Sequence, residues 1–101
     1  MKRLEIEYTT DTPCMAEIAD LGEGGAFVVT PNPFPLGTRL RYKFHLPDDP
    51  IAIEGEARVT RIEPTLGMAL EFEGLSREDQ VRIRLVVAAW TYDPTLQAER
   101  T

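Results

Sequence analysis

Residues 39–46, Arg-Leu-Arg-Tyr-Lys-Phe-His-Leu (RLRYKFHL), alternate charged and apolar side chains for eight positions without a slip. A period of two puts Leu40, Tyr42, Phe44 and Leu46 on one face of a strand and Arg39, Arg41, Lys43 and His45 on the other. PDDP (47–50) is a loop, and beyond it Ile51, Ile53, Gly55, Ala57 and Val59 alternate with Glu54, Glu56 and Arg58. The two runs predict a long hairpin with one buried face. Folding the loop symmetrically sets Lys43 across from Glu54 and Arg41 across from Glu56, pairs of the stabilising kind. The same register sets Arg39 against Arg58, which needs an acidic neighbour or a ligand to relieve it.

Working outward toward the N-terminus, Leu4, Ile6 and Tyr8 share a face while Glu5 and Glu7 take the other. Thr10–Pro13 reads as a turn, and Cys14, Ala16 and Ile18 resume the alternation up to Asp20, which predicts a first hairpin. The glycine run DLGEGG (20–25) is followed by AFVVT, rich in β-branched and aromatic residues and short enough for a buried strand. Gly24 or Gly25 is the expected site of positive φ in that corner. PNPFPLGT (31–38) has prolines at alternate positions, so it is an extended connection, with Phe34 turned back to the core.

Toward the C-terminus, GMALEF (67–72) points Met68, Leu70 and Phe72 inward. Ser76 then caps a helix, with Asp79 three residues on as its capping-box partner and acidic residues in the first turn. The helix runs to about Trp90 and stops before Pro94. Six short strands and one C-terminal α-helix fit a mainly β fold, a small antiparallel barrel or a strongly curled sheet whose open end the helix plugs. Residues 1–93 form the domain and 94–101 a loose tail.

A chain of 101 residues makes one domain, and 43% hydrophobic residues are enough for its core. Seventeen acidic against eleven basic residues give a net charge of −6, which disfavours nucleic acid as a partner. MKRLEIEY turns acidic where a signal peptide would be apolar, and no run is long enough to span a bilayer, so no membrane association and a cytoplasmic location are expected. Cys14 and His45, alone of their kinds, are too few to ligate a structural zinc, so no metal site is expected.

Nothing in the chain assembles into a catalytic relay. One histidine excludes most histidine-based schemes, and His45 lies on the outer face of its strand. DLGEGG lacks the Gly-Lys pair of a P-loop, and Phe27 occupies the position of the last glycine of a dinucleotide fingerprint. The stretch therefore either cradles a phosphate by another arrangement or only turns a corner, and no enzyme is predicted.

The order of these features resembles the PilZ domain family, small six-stranded barrels that act as bacterial receptors for cyclic di-GMP. DLGEGGAFVVTPNPFPLGT is similar to the family's Asn/Asp-x-Ser-x-x-Gly motif, its following strand and its proline-containing connection with a Gly-Thr turn. FHLPDDPIAIEGEARV is similar to the next hairpin, and LGMALEFEGLSREDQVRIR to the last strand and the opening of the helix. The resemblance covers nearly the whole chain. It implies a ligand held by that motif together with an Arg-x-x-x-Arg motif before the first strand, where guanidinium groups grip phosphate and guanine.

Here Asp20 and Gly25 match the motif, Gly22 replaces the serine, and the residue four past Arg3 is Glu7 rather than arginine. The resemblance thus implies a degenerate PilZ protein, a signalling or interaction module of motility or surface behaviour that acts through a protein partner. No cofactor is expected. The alternative is a true cyclic di-GMP receptor using Asp20 to Gly25 with Lys2 and Arg3. The helix supplies the candidate partner surface. From Leu85 to Trp90 it is apolar around its whole circumference, and such a helix meets something on more than one side. Ile83, Val86 and Val87 can pack on the barrel. Leu85, Val86, Ala89 and Trp90 are the candidate contacts for a partner or a second copy, with Trp90 as anchor, unless the barrel and tail cover them all.

Overall fold

The computed structural model describes residues 4–91; Lys2, Arg3 and the tail 94–101 lie outside the described residues. Six strands, β1 (Leu4–Thr9), β2 (Pro13–Leu21), β3 (Gly25–Val29), β4 (Arg39–Phe44), β5 (Ile53–Glu63) and β6 (Gly67–Glu73), precede the helix α1 (Arg77–Thr91). The strands close into an antiparallel barrel in the order β1-β2-β3-β6-β5-β4. Closure leaves no sheet edge open to pair with another chain.

The alternation of β4 carries straight into the barrel: Leu40, Tyr42 and Phe44 are buried, and Leu46 is buried just past the strand end. Ile53, Ala57 and Val59 from β5, Ile6 and Tyr8 from β1, and Met68, Leu70 and Phe72 from β6 complete the interior. Tyr42, Phe44 and Phe72 stack as three near-parallel rings. Phe34, from the proline-containing connection, meets Tyr8 edge-on at 5.7 Å. The β4–β5 register is the expected one, Lys43 opposite Glu54, Arg41 opposite Glu56 and Arg39 opposite Arg58. β6 resolves the arginine pair: Glu71 reaches Arg58 and Glu73 reaches Arg39, each at 3.6 Å.

Several expectations are corrected. Ile51 is 67% exposed, because the loop continues to Ala52 and only Ile53 enters the strand. AFVVT buries Ala26 and Val28, while Phe27 is half-buried and Val29 is 41% exposed. The barrel covers only one side of β3. Neither Gly24 nor Gly25 has positive φ; the left-handed glycines are Gly37 and Gly74. The β2–β3 corner closes with the Gly22 N–H donating to the Gly25 carbonyl at 2.9 Å. Gly25 is required for a different reason: a Cβ there would stand 2.1 Å from the Leu70 carbonyl oxygen of β6.

The Ser76 hydroxyl accepts the Asp79 N–H at 3.1 Å, as an N-cap does. The Asp79 carboxylate, rather than reaching back to the cap, takes Arg82 at 2.7 Å. Arg82 also donates to Asp49 and to the Ile51 carbonyl, each at 2.6 Å, clasping the helix to the β4–β5 loop. That hydrogen bond from Arg82, with a second from the Ile51 N–H, holds the Asp49 carboxyl below the usual carboxylate range. Ile83 is fully buried beneath the helix. No helix among the described residues is long and apolar enough to cross a membrane.

Candidate functional site

Two β-bulges build the site at the β2–β3 corner. Strict alternation would turn Asp20 into the barrel and Leu21 out, since Ile18 faces inward. The β2–β3 register slips between Ile18 and Asp20, so Asp20 is exposed and Leu21 is buried. β5 repeats the device: its register with β6 slips between Val59 and Arg61, which points Arg61 out and Ile62 toward the core. Each extra residue reverses the facing of everything after it.

Asp20 and Arg61 thereby stand at the two ends of one outward row, Asp20–Phe27–Ala69–Arg61, running across β2, β3, β6 and β5. A shallow cavity of about 330 Å³ lies along this row, and Gly22 and Gly25 line it too. The Arg61 guanidinium lies over the Phe27 ring, 5.7 Å from its centroid, within cation–π range, and its Nε is 3.6 Å from Glu63. Among the described residues, Arg61 is the one cation lining the cavity. Space for a serine side chain exists at position 22, where a Cβ would have its nearest neighbour 4.0 Å away. Arg3, the remaining sequence candidate for this site, lies outside the described residues. Sequence reasoning missed Arg61, because only the bulge at Thr60 makes it an outward residue and a single-residue slip leaves no mark in a period of two.

The corner is tied to the helix, with Arg84 Nε donating to Glu23 at 2.6 Å. On α1 the candidate contact residues divide. Val86 and Trp90 are half-buried and pack against the barrel core together with Val87. Leu85 is 65% exposed and Ala89 is exposed, so these two face away from the barrel. Val81, one turn before Leu85, and Ala88, one turn after it, extend the same outer surface. The two arginines on the flanks of that surface are committed, Arg82 to Asp49 and Asp79 and Arg84 to Glu23.

The row of basic side chains on β4 is not an anion site. Arg41 pairs with Glu56 at 3.7 Å, Arg39 with Glu73, and Lys43 stands between Glu7 of β1 and Glu54 of β5 in register. Among the described residues no group of three His, Cys, Asp or Glu side chains converges as metal ligands would.

Residues 4–89 match the family model described as "PilZ domain". Among curated proteins there is no match. Among solved structures, that of the Bacillus subtilis inhibitor of motility, MotI/DgrA, superposes with a TM-score of 0.77 at 23% sequence identity. The match covers 89% of this chain and 48% of the other, so the chain spans about half the length of that structure. At that identity the likeness is one of fold.

Proposed function

The chain belongs to the PilZ domain family, and from that premise we propose that it is a degenerate, non-catalytic member that works by docking a protein partner in the control of motility or surface behaviour, without cyclic di-GMP. The observation carrying this reading is the charge of the corner cavity, where among the described residues a single cation, Arg61, stands at the far end of the lining row from Asp20. A dinucleotide with two phosphates and two guanines needs several fixed guanidinium groups. If each arginine contact contributes about 1 to 3 kcal/mol, losing two weakens binding by roughly two to four powers of ten. Gly25, although it matches the motif, is demanded by the close approach of β6 and so is no argument for a ligand. The likeness to an inhibitor of motility supports the biological setting.

The docking surface in this reading is the outer face of α1 around Leu85 and Ala89. Trp90 and Val86 act from beneath it, fixing the helix on the barrel. Titration calorimetry with cyclic di-GMP tests the reading. No heat of binding is expected at ligand concentrations of about 100 μM, and a micromolar or tighter dissociation constant would make the chain a receptor instead.

A further inference from the structure

Charge divides the outer wall of the barrel. From Leu4 to Thr38 the chain carries six carboxylate side chains and no lysine, arginine or histidine. The outward charged positions of β1 and β2 are therefore all acidic: Glu5 and Glu7 on β1, Glu17 and Asp20 on β2. Beside that flank lies β3, whose outward residues are apolar. Phe27 leans over Gly67, so its ring forms the surface there, and Val29 is 41% exposed. Leu66, exposed in the β5–β6 turn, continues the line, its carbonyl accepting the Thr30 N–H. Met15, also exposed, stands on β2 diagonally from Val29. A strand apolar on both faces is one built to be covered on both. The barrel supplies only the inner cover.

The pairing register sets the order of charge across this face. One row runs Glu5–Glu17–Val29–Gly67–Glu63 over β1, β2, β3, β6 and β5. The next runs Asp20–Phe27–Ala69–Arg61. The β1–β2 flank is thus acidic only, whereas on the β5 flank Glu63 and Arg61 pair at 3.6 Å and offset each other. A complementary occupant is apolar along its middle, cationic on one flank and neutral on the other. A second copy does not meet this requirement, because a two-fold through the face sets Glu17 against Glu63 twice. Nor can a strand add here, since the closed barrel has no free edge. The occupant has to satisfy its own backbone hydrogen bonds, as a helix does. Val29 lies about 7 Å beyond Phe27 along β3, and Leu66 about 3 Å further. Residues i, i+4 and i+7 of a helix, rising about 1.5 Å each, match those steps.

We propose that the outer wall of β3 docks a basic amphipathic helix of a partner protein, its apolar stripe on Phe27, Val29 and Leu66 and its lysines or arginines toward Glu5, Glu7 and Asp20. This goes beyond docking at α1, uses another face and does not depend on it.

The probe is a synthetic helical peptide of about 16 residues with leucines at i, i+4, i+7 and i+11, lysines along one flank and glutamines along the other. It is titrated into the full chain and followed by NMR. The expected dissociation constant is on the order of 100 μM, as suits a small contact, with shifts at Met15, Val29 and Leu66 and none at Leu85. Exchanging the lysines for glutamates, or scrambling the leucine positions at constant composition, should each weaken binding at least about tenfold. Val29→Gln should weaken it as well, and Leu85→Glu should leave it unchanged. Glu5→Lys with Asp20→Lys, folded by circular dichroism, should reverse the preference toward the glutamate-flanked peptide. No binding below about 1 mM, shifts centred on α1, equal binding of the scrambled peptide, loss of binding in Leu85→Glu, or a double variant that still prefers the lysine-flanked peptide would each overturn the proposal.

Discussion

Two seams of the barrel each lay an aromatic ring over a glycine, one on the inside and one on the outside. At the β4–β5 seam Tyr42 stands opposite Gly55, where a Cβ would come 3.3 Å from its hydroxyl oxygen. At the β3–β6 seam Phe27 leans over Gly67, where a Cβ would come 2.7 Å from the ring and 2.2 Å from the Val28 carbonyl oxygen. The inner pair makes room for a side chain, while the outer pair lets two backbones approach. Inner glycines therefore tolerate a methyl group when the ring can shift, and outer ones do not, because a backbone carbonyl cannot yield without opening the ladder.

The sharpest way to break this comparison is to add that methyl group at each seam. Gly67→Ala is expected to cost about 3 kcal/mol, at the upper end of overpacking penalties, since both a carbonyl and a ring must move. Gly55→Ala should change stability by less than about 1 kcal/mol, as the Tyr42 hydroxyl need give way by only a few tenths of an ångström. Urea unfolding of the two variants checks the pair. Equal losses would mean that both glycines serve one purpose.

The two seams were not equally legible in the sequence. The β4–β5 hairpin declares itself because every outward residue of β4 is polar and every inward one apolar, which also yields the pairing of Lys43 with Glu54. β3 is apolar on both faces, and a run such as AFVVT reads as a strand buried on both sides. Only the closed barrel reveals that Phe27 and Val29 are left outside. The bulges at Ala19 and Thr60 were equally hidden, since a single extra residue has no compositional signature, and with them went the outward aim of Arg61. The Ser76 cap was legible because capping is a local event. The relief of Arg39 and Arg58 by β6 was not, since it depends on which strand closes against β5.

A smaller effect sharpens the inner seam. The Tyr42 hydroxyl is buried with no hydrogen-bond partner among the described residues. Burial first, and the nearby Asp79 carboxylate second, push its pKa up to about 12. A raised folded-state value means stability that is whole below the unfolded-state value near 10 and is lost as pH climbs from there toward 12. Tyr42→Phe removes an unsatisfied polar atom while keeping the ring stack, so it should stabilise the fold by about 1 kcal/mol. It should also flatten the decline in stability between pH 10 and 12. An unfolding midpoint that drops in Tyr42→Phe would show that the hydroxyl has a partner after all.

The least effect is expected where the two walls meet, at Glu71, with Gly25 beside it on β3 and Arg58 on β5. Its pair with Arg58 is exposed and 3.6 Å long, the kind that contributes a few tenths of a kcal/mol. Glu71→Gln does slightly more than delete that pair, because it leaves Arg58 facing Arg39 directly across the ladder, and opposed like charges destabilise. The combined loss should be about 0.5 to 1 kcal/mol at low salt. It should vanish near 1 M salt, where the screening length falls to about 3 Å. Adding Arg39→Gln to Glu71→Gln should recover the repulsive part of the loss and no more, since it also gives up the Arg39–Glu73 pair. A loss that persists in high salt, or that Arg39→Gln does not repair, would mean that Glu71 holds the β6 wall by packing against the seam, and the charged wall would then be less separate from the apolar one than the pairing register makes it.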